Sequence, residues 1–375
     1  MNLRVFAILG VSCFTAVLAS CGAKHDDTAA RSPAPTATVP PEPSKPTSCT
    51  ADAAADIGVA NVDLNGYPPY AIAGRTLVYV NTSGALVSRD LTTRTESSVA
   101  DASEKPHRPA ISTEVLAWEA TENGHTVVRV RARDVIRTMK GAFVAAGEPR
   151  VSGTSVVFTG WNGPAVTDDT DVWLYDAGAD AAATKVFGGP AQQRYADVSA
   201  GYVAAADFLE DPDGRDDHNE TDLADIIVFN RATGSIVARH VVGFEKFPML
   251  TSNDVLAYLH WPVIHPEPKL QAYEIRSGAL RADPAIDAKI AFPHYGGGDY
   301  PRPAITGSTL EWISEGSGSV ALWRAPADGS SAPVQVQGLG SGLDLFAPAP
   351  MPAFTVLATS RSGDVLAPRL RAVPR

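Results

Sequence analysis

Apolar positions along the chain fall into short runs separated by polar turns, and one phrase recurs seven times. It consists of a proline or aromatic residue, a segment of small and β-branched residues, a turn, and an apolar run. The copies are PYAIAGRTLVYV at 69, PAISTEVLAWEA at 109, PRVSGTSVVFTGW at 149, YADVSAGYVAAADF at 195, PMLTSNDVLAYLHW at 248, PAITGSTLEWIS at 303 and PMPAFTVLATS at 350. Runs of this length and composition, bounded by turn residues, predict β-strands.

A second apolar run follows each copy, as in DVWLYDAGA and DIIVFNRATG, and no amphipathic helical pattern occurs in 51–375. The copies begin 40 to 55 residues apart. Short strands at this period, with glycine and proline in the turns, predict an all-β fold, a β-propeller. Seven copies favour seven blades, and six are expected if one copy is degenerate. A pair of two-sheet sandwiches is the alternative.

A propeller ring closes when strands from both ends of the chain meet in one blade. The C-terminal segment RLRAVPR ends on an apolar strand, and DIGVANVDL at 56–64 is a second unpaired strand pattern near the start of the domain. We therefore predict that 56–64 supplies the outer strand of the last blade.

The phrases PRVSGTSVVF with DVWLYDAG, and ADIIVFNRATG, resemble the repeats of TolB-type propellers and related exported propeller lipoproteins. The resemblance covers nearly all of 65–375 and implies the architecture. It implies little about activity, because propellers host binding modules, scaffolds and enzymes. TolB proteins carry an extra N-terminal α/β domain, which this chain replaces with a different segment, so the TolB role in envelope constriction is not carried over.

That N-terminal segment predicts export. Residues 1–20 have a basic start and an apolar run that is too short for a spanning helix, as in a signal peptide. The run ends in LASC, which resembles the lipobox of bacterial lipoproteins and implies that Cys21 carries lipid, including palmitate. An ordinary signal peptide cut nearby is the alternative. Gly22 in place of aspartate resembles the sorting pattern for the outer membrane, on either its periplasmic or its outer face.

Residues 21–50 are rich in proline, alanine, serine and threonine, which predicts a disordered linker between the anchor and the domain of residues 51–375. The formal net charge of −11 argues against nucleic acid as a partner. No zinc-protease, nucleotide-binding or nucleophile-elbow motif occurs, so no catalytic residue is assigned. A monomeric propeller is expected.

The stretch DFLEDPDGRDDHNETDLAD at 207–225 holds nine acidic residues and one arginine. Its Asp211, Asp213 and Asp217 fit a spacing found in calcium loops, and calcium takes hard oxygen ligands from flexible loops. A smaller acidic loop, with Asp168, Asp169 and Asp171, precedes the corresponding strand of the third copy. Calcium is therefore the one cofactor that the sequence suggests, and a solvated loop without an ion is the alternative.

Residues just before each apolar strand are expected at the mouth of the central channel, where aromatic, basic and acidic groups would form a ligand pocket. Spacer residues that end turns are the alternative interpretation. The candidate ligand-binding residues are His107, Arg108, Glu148, Tyr195, Lys246, Tyr300 and Arg302.

These patterns favour a lipid-anchored envelope propeller that binds a protein or an envelope polymer without catalysing a reaction. Two alternatives are a propeller hydrolase or lyase with its site at the channel mouth, and an accessory subunit of an envelope complex. Perturbed titratable groups at the mouth would favour the enzyme.

Overall fold

Strands account for nearly all the regular structure in the computed structural model of the chain. It describes residues 51–60, 67–163, 169–179, 181–189, 192–208, 224–240, 245–260, 269–276, 279–280, 284–289, 302–316, 319–340, 343–345, 348–350, 354–361 and 368–374. The predicted signal peptide, Cys21 and the linker of residues 21–50 lie outside the described residues. Within the described ranges, no helix is long and apolar enough to cross a membrane.

Twelve strands form the first three antiparallel sheets, each four strands that follow one another along the chain. The first sheet contains β1 (Tyr70–Ala73), β2 (Thr76–Val80), β3 (Leu86–Asp90) and β4 (Glu96–Ala100). The second contains β5 (His107–Ile111), β6 (Val115–Glu122), β7 (His125–Ala132) and β8 (Val135–Thr138). The third contains β9 (Ala145–Ser152), β10 (Ser155–Trp161), β11 (Thr170–Asp176) and β12 (Thr184–Phe187). Short 3₁₀ turns lie at Ala51–Ala53 and Ala102–Glu104.

Three further sheets follow; two repeat the four-strand order, and the fifth has five strands, of which the last two both pair with the third. The fourth contains β13 (Gln193–Val198), β14 (Tyr202–Asp207), β15 (Asp225–Asn230) and β16 (Ser235–His240). The fifth contains β17 (Glu245–Leu250), β18 (Val255–His260), β19 (Lys269–Arg276), β20 (Ala279–Leu280) and β21 (Ile286–Lys289). The sixth contains β22 (Ala304–Thr306), β23 (Thr309–Gly316), β24 (Ser319–Pro326) and β25 (Val334–Gly340).

The remaining strands form a less regular sheet, called here the closing sheet. It contains β26 (Leu343–Leu345), β27 (Ala349–Pro350), β28 (Phe354–Arg361) and β29 (Arg369–Pro374). Its order departs from the simple sequence of the others, because β26, β27 and β29 all pair with β28. The fold is therefore an all-β β-propeller with six regular blades, a number that the sequence allowed. Seven regular blades, which the sequence favoured, are not found because the closing sheet is built differently.

Both ends of the domain meet at this sheet. Gly58 pairs antiparallel with Arg369. The backbone N–H of Asp56 donates to the carbonyl of Leu370 at 2.8 Å, and the N–H of Leu370 donates to the carbonyl of Ile57 at 2.8 Å. The prediction that the segment at 56–64 closes the ring is confirmed at residues 56–59, and residues 61–64 lie outside the described part of the chain.

Burial falls from the inner to the outer strands. The second strand of a blade is buried on both faces, as in β10 and β14, where every residue is buried. The fourth strand is largely exposed, as in β4 and β8. This gradient explains the sequence pattern, because strands covered by neighbouring blades need apolar residues on both faces and outer strands do not.

The core lies between neighbouring sheets instead of at one centre. Trp118 of the second blade packs with Val78 and Leu86 of the first. Leu357 of the closing sheet packs with Leu322 of the sixth blade. Other clusters join the closing sheet to the first blade and link the second through sixth blades. Each sheet is therefore stabilised by apolar contacts with the sheet on either side.

Candidate functional site

Four of the innermost strands, β5, β9, β13 and β17, contain a β-bulge at the same point. One residue at each bulge has a left-handed backbone, with φ of 46° at Arg108, 57° at Glu148, 57° at Tyr195 and 60° at Phe247. Positive φ is strained for bulky side chains, at a cost on the order of 1–3 kcal/mol each. Because the strain recurs in four blades, it belongs to the repeat itself.

Arg302 occupies the matching position of the sixth blade. It stands two residues before Ala304, which pairs across to Glu311, as Arg108 stands two residues before Ala110, which pairs across to Ala117. Five consecutive blades thus each present one residue from the same position. Together with Tyr67, these residues are called here the bulge cluster; its members are Tyr67, Arg108, Glu148, Tyr195, Phe247 and Arg302.

The sequence placed these residues just before the apolar strands, and they do precede β6, β10, β14, β18 and β23, but the sequence did not identify the additional innermost strand of each blade. They lie within the innermost strands, and only Arg302 precedes its strand, β22. The innermost strand was hard to recognise because it contains both the bulge and, in several blades, a proline such as Pro109 or Pro149. Proline cannot donate a ladder hydrogen bond and normally argues against a strand interior.

Aromatic rings surround the guanidinium of Arg302. Its Cζ lies 3.6 Å from the centroid of the Tyr67 ring and 3.8 Å from that of Phe247. The Tyr195 ring is 5.0 Å away, and the rings of Tyr195 and Phe247 meet edge to face at 4.7 Å. Such cation–π contacts are stronger when they are removed from water. Arg302 is only 4% exposed, so its guanidinium contacts these rings away from water.

Glu148 is the central carboxylate of the cluster and is 1% exposed. Its Oε1 lies 2.9 Å from Nη2 of Arg194 and 3.8 Å from Nη1 of Arg108. Its Oε2 accepts hydrogen bonds from Oγ1 of Thr159 at 3.0 Å and from the backbone N–H of Tyr195 at 3.2 Å. Three blades therefore meet at this one side chain.

Glu119 of β6 joins the cluster to the predicted residue His107. Its Oε1 lies 3.1 Å from Nη1 of Arg108 and accepts the backbone N–H of Glu148, while Oε2 contacts Nε2 of His107. Burial would lower the pKa of His107, but the interaction with Glu119 outweighs it and raises the pKa. A protonated His107 would add a further positive charge to this region.

The pKa values of Glu148 and Tyr67 lie far from neutral pH. Burial opposes ionisation of Glu148, yet Arg194 and Arg108 outweigh it and lower the pKa of Glu148 to about 2. Burial raises the pKa of Tyr67 to about 12. Burial lowers the pKa of Arg302. At neutral pH the carboxylate of Glu148 is therefore ionised and the phenol of Tyr67 is neutral.

Arg150 and Asp197 lie two residues beyond the bulge on the neighbouring strands β9 and β13, and both are half-buried. Arg150 Cζ is 5.2 Å from the centroid of the Tyr67 ring. Oδ2 of Asp197 accepts the backbone N–H of Leu250 at 2.7 Å. Burial raises the pKa of Asp197, although Arg150 acts in the opposite direction. The pKa of Asp197 thus moves toward neutrality, in the direction opposite to that of Glu148.

The structure brings four of the predicted ligand-binding residues together: Arg108, Glu148, Tyr195 and Arg302. His107 reaches the cluster through Glu119, and Nζ of Lys246 lies 5.8 Å from the centroid of the Phe208 ring, beside it. Tyr300 lies outside the described residues. Their role in binding stays a prediction.

Sequence reasoning missed Tyr67, Glu119, Arg150 and Asp197. Aligning the copies on the bulge residue would have pointed to Arg150 and Asp197, which share one position in successive copies. Glu119 and Tyr67 have no such signal, because their contacts depend on how the blades stack.

The predicted calcium ligands Asp211, Asp213 and Asp217 lie outside the described residues, as does Asp168. At the two ends of their loop, Asp207 and Asp225 face each other across β14 and β15 and are both buried. Asp171 is also buried, and its carboxylate lies 2.5 Å from Nζ of Lys185. Among the residues that the structure describes, no group of three or more metal-ligating side chains comes together.

A separate cleft of about 530 Å³ lies at the outer edge of the second and third blades. Its lining residues are Glu122, Arg137, Thr138, Met139, Lys140, Tyr175, Ala181, Ala182 and Ala183. The sequence does not indicate this cleft, because its residues come from separate hairpins of two blades. It is the natural comparison site for tests of the bulge cluster.

Comparisons with known proteins support the architecture. No protein-family profile and no curated protein matches the chain. The propeller domain of the trilobed protease from Pyrococcus furiosus is 10% identical with a TM-score of 0.54, and the match covers 85% of this chain and 93% of that one. A prolyl endopeptidase is 13% identical with a TM-score of 0.52, covering 86% of this chain and 51% of that one.

TolB from Acinetobacter baumannii also matches, at 12% identity and a TM-score of 0.41, over 74% of this chain and 62% of TolB. That likeness is too loose to bear on function or location. At these identities the solved structures show the β-propeller fold alone. The chain spans about half of the endopeptidase and less than two thirds of TolB, so the activities of those proteins are not transferred to it.

Proposed function

We propose that this chain is a non-catalytic binding module of the bacterial cell envelope, which engages a protein or an envelope polymer at the bulge cluster. The main observation behind this proposal is that five consecutive blades each deliver one residue from the same position to a single buried group around Tyr67, and in four of the blades that residue has a left-handed backbone. Strained residues persist only where the surrounding structure holds them, and they concentrate at functional sites.

The protonation states favour binding over catalysis. A general acid or base works best with a pKa near the working pH. Glu148, with a pKa of about 2, and Tyr67, with a pKa of about 12, are both far from that range. Such groups provide a fixed pattern of charge that orients a ligand, and they do not exchange protons with it at neutral pH.

One observation favours the second candidate function, a hydrolase or lyase. Asp197 is half-buried and burial raises its pKa, as expected for a general acid. A third candidate, an accessory subunit of an envelope complex, is favoured by exposed apolar side chains on outer strands. These are Val135 and Ile136 on β8, Ile236 on β16 and Val334 on β25.

The location is proposed from the sequence. The LASC motif supports lipidation at Cys21, and the proline-rich segment of residues 21–50 would hold the propeller away from the outer membrane. Labelling with radioactive palmitate, compared between the native chain and Cys21→Ser, tests this anchor. Equal labelling of both chains would reject lipidation at Cys21.

The acidic loop is proposed to bind calcium through Asp211, Asp213 and Asp217. Calcium that binds only the native state raises the unfolding midpoint by mass action. We expect a rise at millimolar calcium that chelator removes, that Asp211→Asn/Asp213→Asn abolishes, and that the exposed-turn control Asp134→Asn keeps. An unchanged midpoint would make the loop a solvated insertion.

The closing sheet is proposed to act as a further blade. Its strand β27 lies beside both β1 and β22, between the first and sixth blades. Residues 56–59 would then be its outer strand. Hydrogen exchange tests this arrangement: the amides of β28 should be as protected as those of β10, and much faster exchange in β28 would reject it.

Site-specific photo-cross-linking tests the proposed binding site. A photoreactive residue at position 107, whose native side chain is 42% exposed, reports on the bulge cluster. The matched control is position 135, whose residue is 52% exposed beside the outer cleft. In envelope extracts we expect one discrete product from position 107 and none from position 135. Products from position 135 alone would place binding at the outer cleft and reject the proposal.

A further inference from the structure

The side chain of Tyr67 lies near the axis of the propeller, in the middle of the bulge cluster. Cζ of Arg108 from the second blade is 4.4 Å from the centroid of its ring, Cζ of Arg150 from the third is 5.2 Å away, and Cζ of Arg302 beside the sixth is 3.6 Å away. Because the blades follow one another around the ring, the third and the sixth lie on opposite sides of its centre. A side chain that both sides reach occupies the central channel at the level of the bulges.

The surroundings of this ring are those of a bound aromatic group. Tyr67 is 4% exposed, and guanidinium groups from three blades lie over its ring. The guanidinium of Arg302 is shared between it and the ring of Phe247, which is 3.8 Å away. Cations attract the face of an aromatic ring, and more strongly away from water. The space that the ring fills is therefore suited to an aromatic ring more than to an aliphatic group of the same size.

Few polar contacts hold Tyr67 in the channel. It precedes β1 and is followed by Pro68 and Pro69, which have no backbone N–H to donate. The carbonyl of Pro69 accepts the N–H of Val80 at 2.8 Å. Among the described residues, neither the backbone nor the hydroxyl of Tyr67 has a hydrogen-bond partner. The ring is thus held by packing and by cation–π contacts, which a second ring in the same place can replace.

We propose that Tyr67 is an internal ligand of the bulge cluster, and that a partner protein binds there by inserting an aromatic side chain in its place. This rests on the proposed binding function of the cluster, and it names the group that is recognised and the contact that limits access to it. Tryptophan and tyrosine suit the subsite best, because their rings attract cations most strongly. The internal ring weakens the apparent affinity, since the partner binds only the fraction of molecules from which the ring has withdrawn.

Photo-cross-linking at position 107 tests the displacement. In Tyr67→Ala the internal ring is gone, so the product formed from a given envelope extract should rise at least about threefold over the native chain. Phenol should reduce this product, and cyclohexanol at the same concentration should not. The matched control is Phe158→Ala, which removes a fully buried ring between the second and third blades and should not raise the product.

Thermal unfolding with the same two compounds tests the preference for a ring. Tyr67→Ala leaves a space of the size of phenol among the arginines, and phenol that binds there raises the unfolding midpoint. Phenol should bind this variant at least about tenfold tighter than cyclohexanol, which has a similar size but no aromatic face. In Phe158→Ala the two compounds should bind about equally, because among the described residues no guanidinium lies over the Phe158 ring.

The proposal is overturned if folded Tyr67→Ala gives less product at position 107 than the native chain, or if phenol and cyclohexanol bind this variant equally. Urea unfolding shows whether the variant is folded. If it is not, Tyr67→Leu keeps an apolar side chain in the channel without an aromatic face. A yield from Tyr67→Leu above that of the native chain would support the proposal, and a yield at or below it would reject the proposal.

Failure of the binding function gives a different result. It leaves position 107 without a product in the native chain and in both Tyr67 variants, and the internal ligand is then rejected with it. If the native chain gives a product that falls in Tyr67→Ala, the cluster still binds a partner, and Tyr67 is part of the binding surface instead of a competitor for it.

Discussion

Two buried glutamates of this propeller have contrasting surroundings. Glu311 lies between the sixth blade and the closing sheet, where Nε of Arg324 approaches it at 2.8 Å and Thr355 donates its hydroxyl. Glu148 lies in the bulge cluster, where Arg194 and Arg108 approach its carboxylate and aromatic rings lie nearby. The first arrangement pairs charges and ties neighbouring strands together. The second gathers several arginines and aromatic rings around one carboxylate, which the repeat architecture alone does not require.

Of the substitutions that test this comparison, Glu148→Gln should lower the free energy of unfolding the most. The substitution leaves the buried guanidinium of Arg194 without its carboxylate, and removing one partner of a buried pair costs about 3–5 kcal/mol. We expect a loss of that size in the free energy of unfolding, measured with urea at pH 7. Asp56→Asn is the control, because it breaks an ion pair that is 82% exposed on the aspartate side and should cost under about 1 kcal/mol.

Acid should remove the same stabilisation from the native chain. The pKa of Glu148 is about 2 when folded and 4.5 ordinarily, so its contribution is present above pH 4.5 and is lost as pH falls toward 2. The difference in unfolding free energy between the native chain and Glu148→Gln should therefore shrink from pH 5 to pH 3. A difference independent of pH would show that Glu148 acts through packing and not through charge.

Glu311→Gln should have the second largest effect, about 2–3 kcal/mol. It leaves Arg324 unpaired, but that side chain is 22% exposed and water compensates part of the loss. The same urea titration measures it. This variant should leave the cross-linked product at position 107 unchanged, whereas Glu148→Gln should reduce it. If both variants changed cross-linking equally, Glu148 would have no role in binding beyond the structural role of Glu311.

Arg150→Gln sharpens the contrast because its opposing effects should nearly cancel. Removing the cation relieves its repulsion with Arg302 but loses the contact with the Tyr67 ring and the attraction to Asp197, so the free energy of unfolding should change by less than about 1 kcal/mol. Thermal unfolding at low salt measures the change, which should decline with added salt. A loss of stability above about 1 kcal/mol would show that Arg150 is a structural partner, like Arg324.

His107→Gln should give the smallest effect, below about 1 kcal/mol, because the histidine side chain is 42% exposed and its ion pair is screened. Glu119 raises the pKa of His107 in the folded state. Its stabilisation is therefore complete below the ordinary pKa of 6.5 and is lost as pH rises through the folded value. The difference in unfolding free energy between the native chain and His107→Gln should be larger at pH 6 than at pH 9. The reverse order would contradict an ion pair between His107 and Glu119.

The repeated phrase predicted the propeller and the segment that closes it, because apolar runs and turns are local features. Arg108 and Arg302 were also found locally, from their position just before an apolar strand. The number of regular blades was harder to predict from the sequence, because β27 is only two residues long and the other strands of its sheet all pair with β28. Periodicity does not report how short strands divide among sheets.

The partners of the site residues were harder to predict. Tyr67 meets Arg302 across more than 200 residues of sequence, and Glu119 meets Glu148 across 29. Such contacts depend on the register between blades and on where each bulge turns its side chain. A repeat alignment fixes the position of a residue within its blade, but only the stacked ring fixes which blade it meets.

The backbone hydrogen bonds that residues 56–59 make with residues 368–370 also govern how the domain opens. In a linear array of repeats, the end units have one neighbour and separate first. Joining the two ends gives every sheet a neighbour on both sides, so no unit can detach by losing a single interface. Cutting the chain after residue 60 would restore an end and allow local opening to begin at the closing sheet, long before the whole ring unfolds.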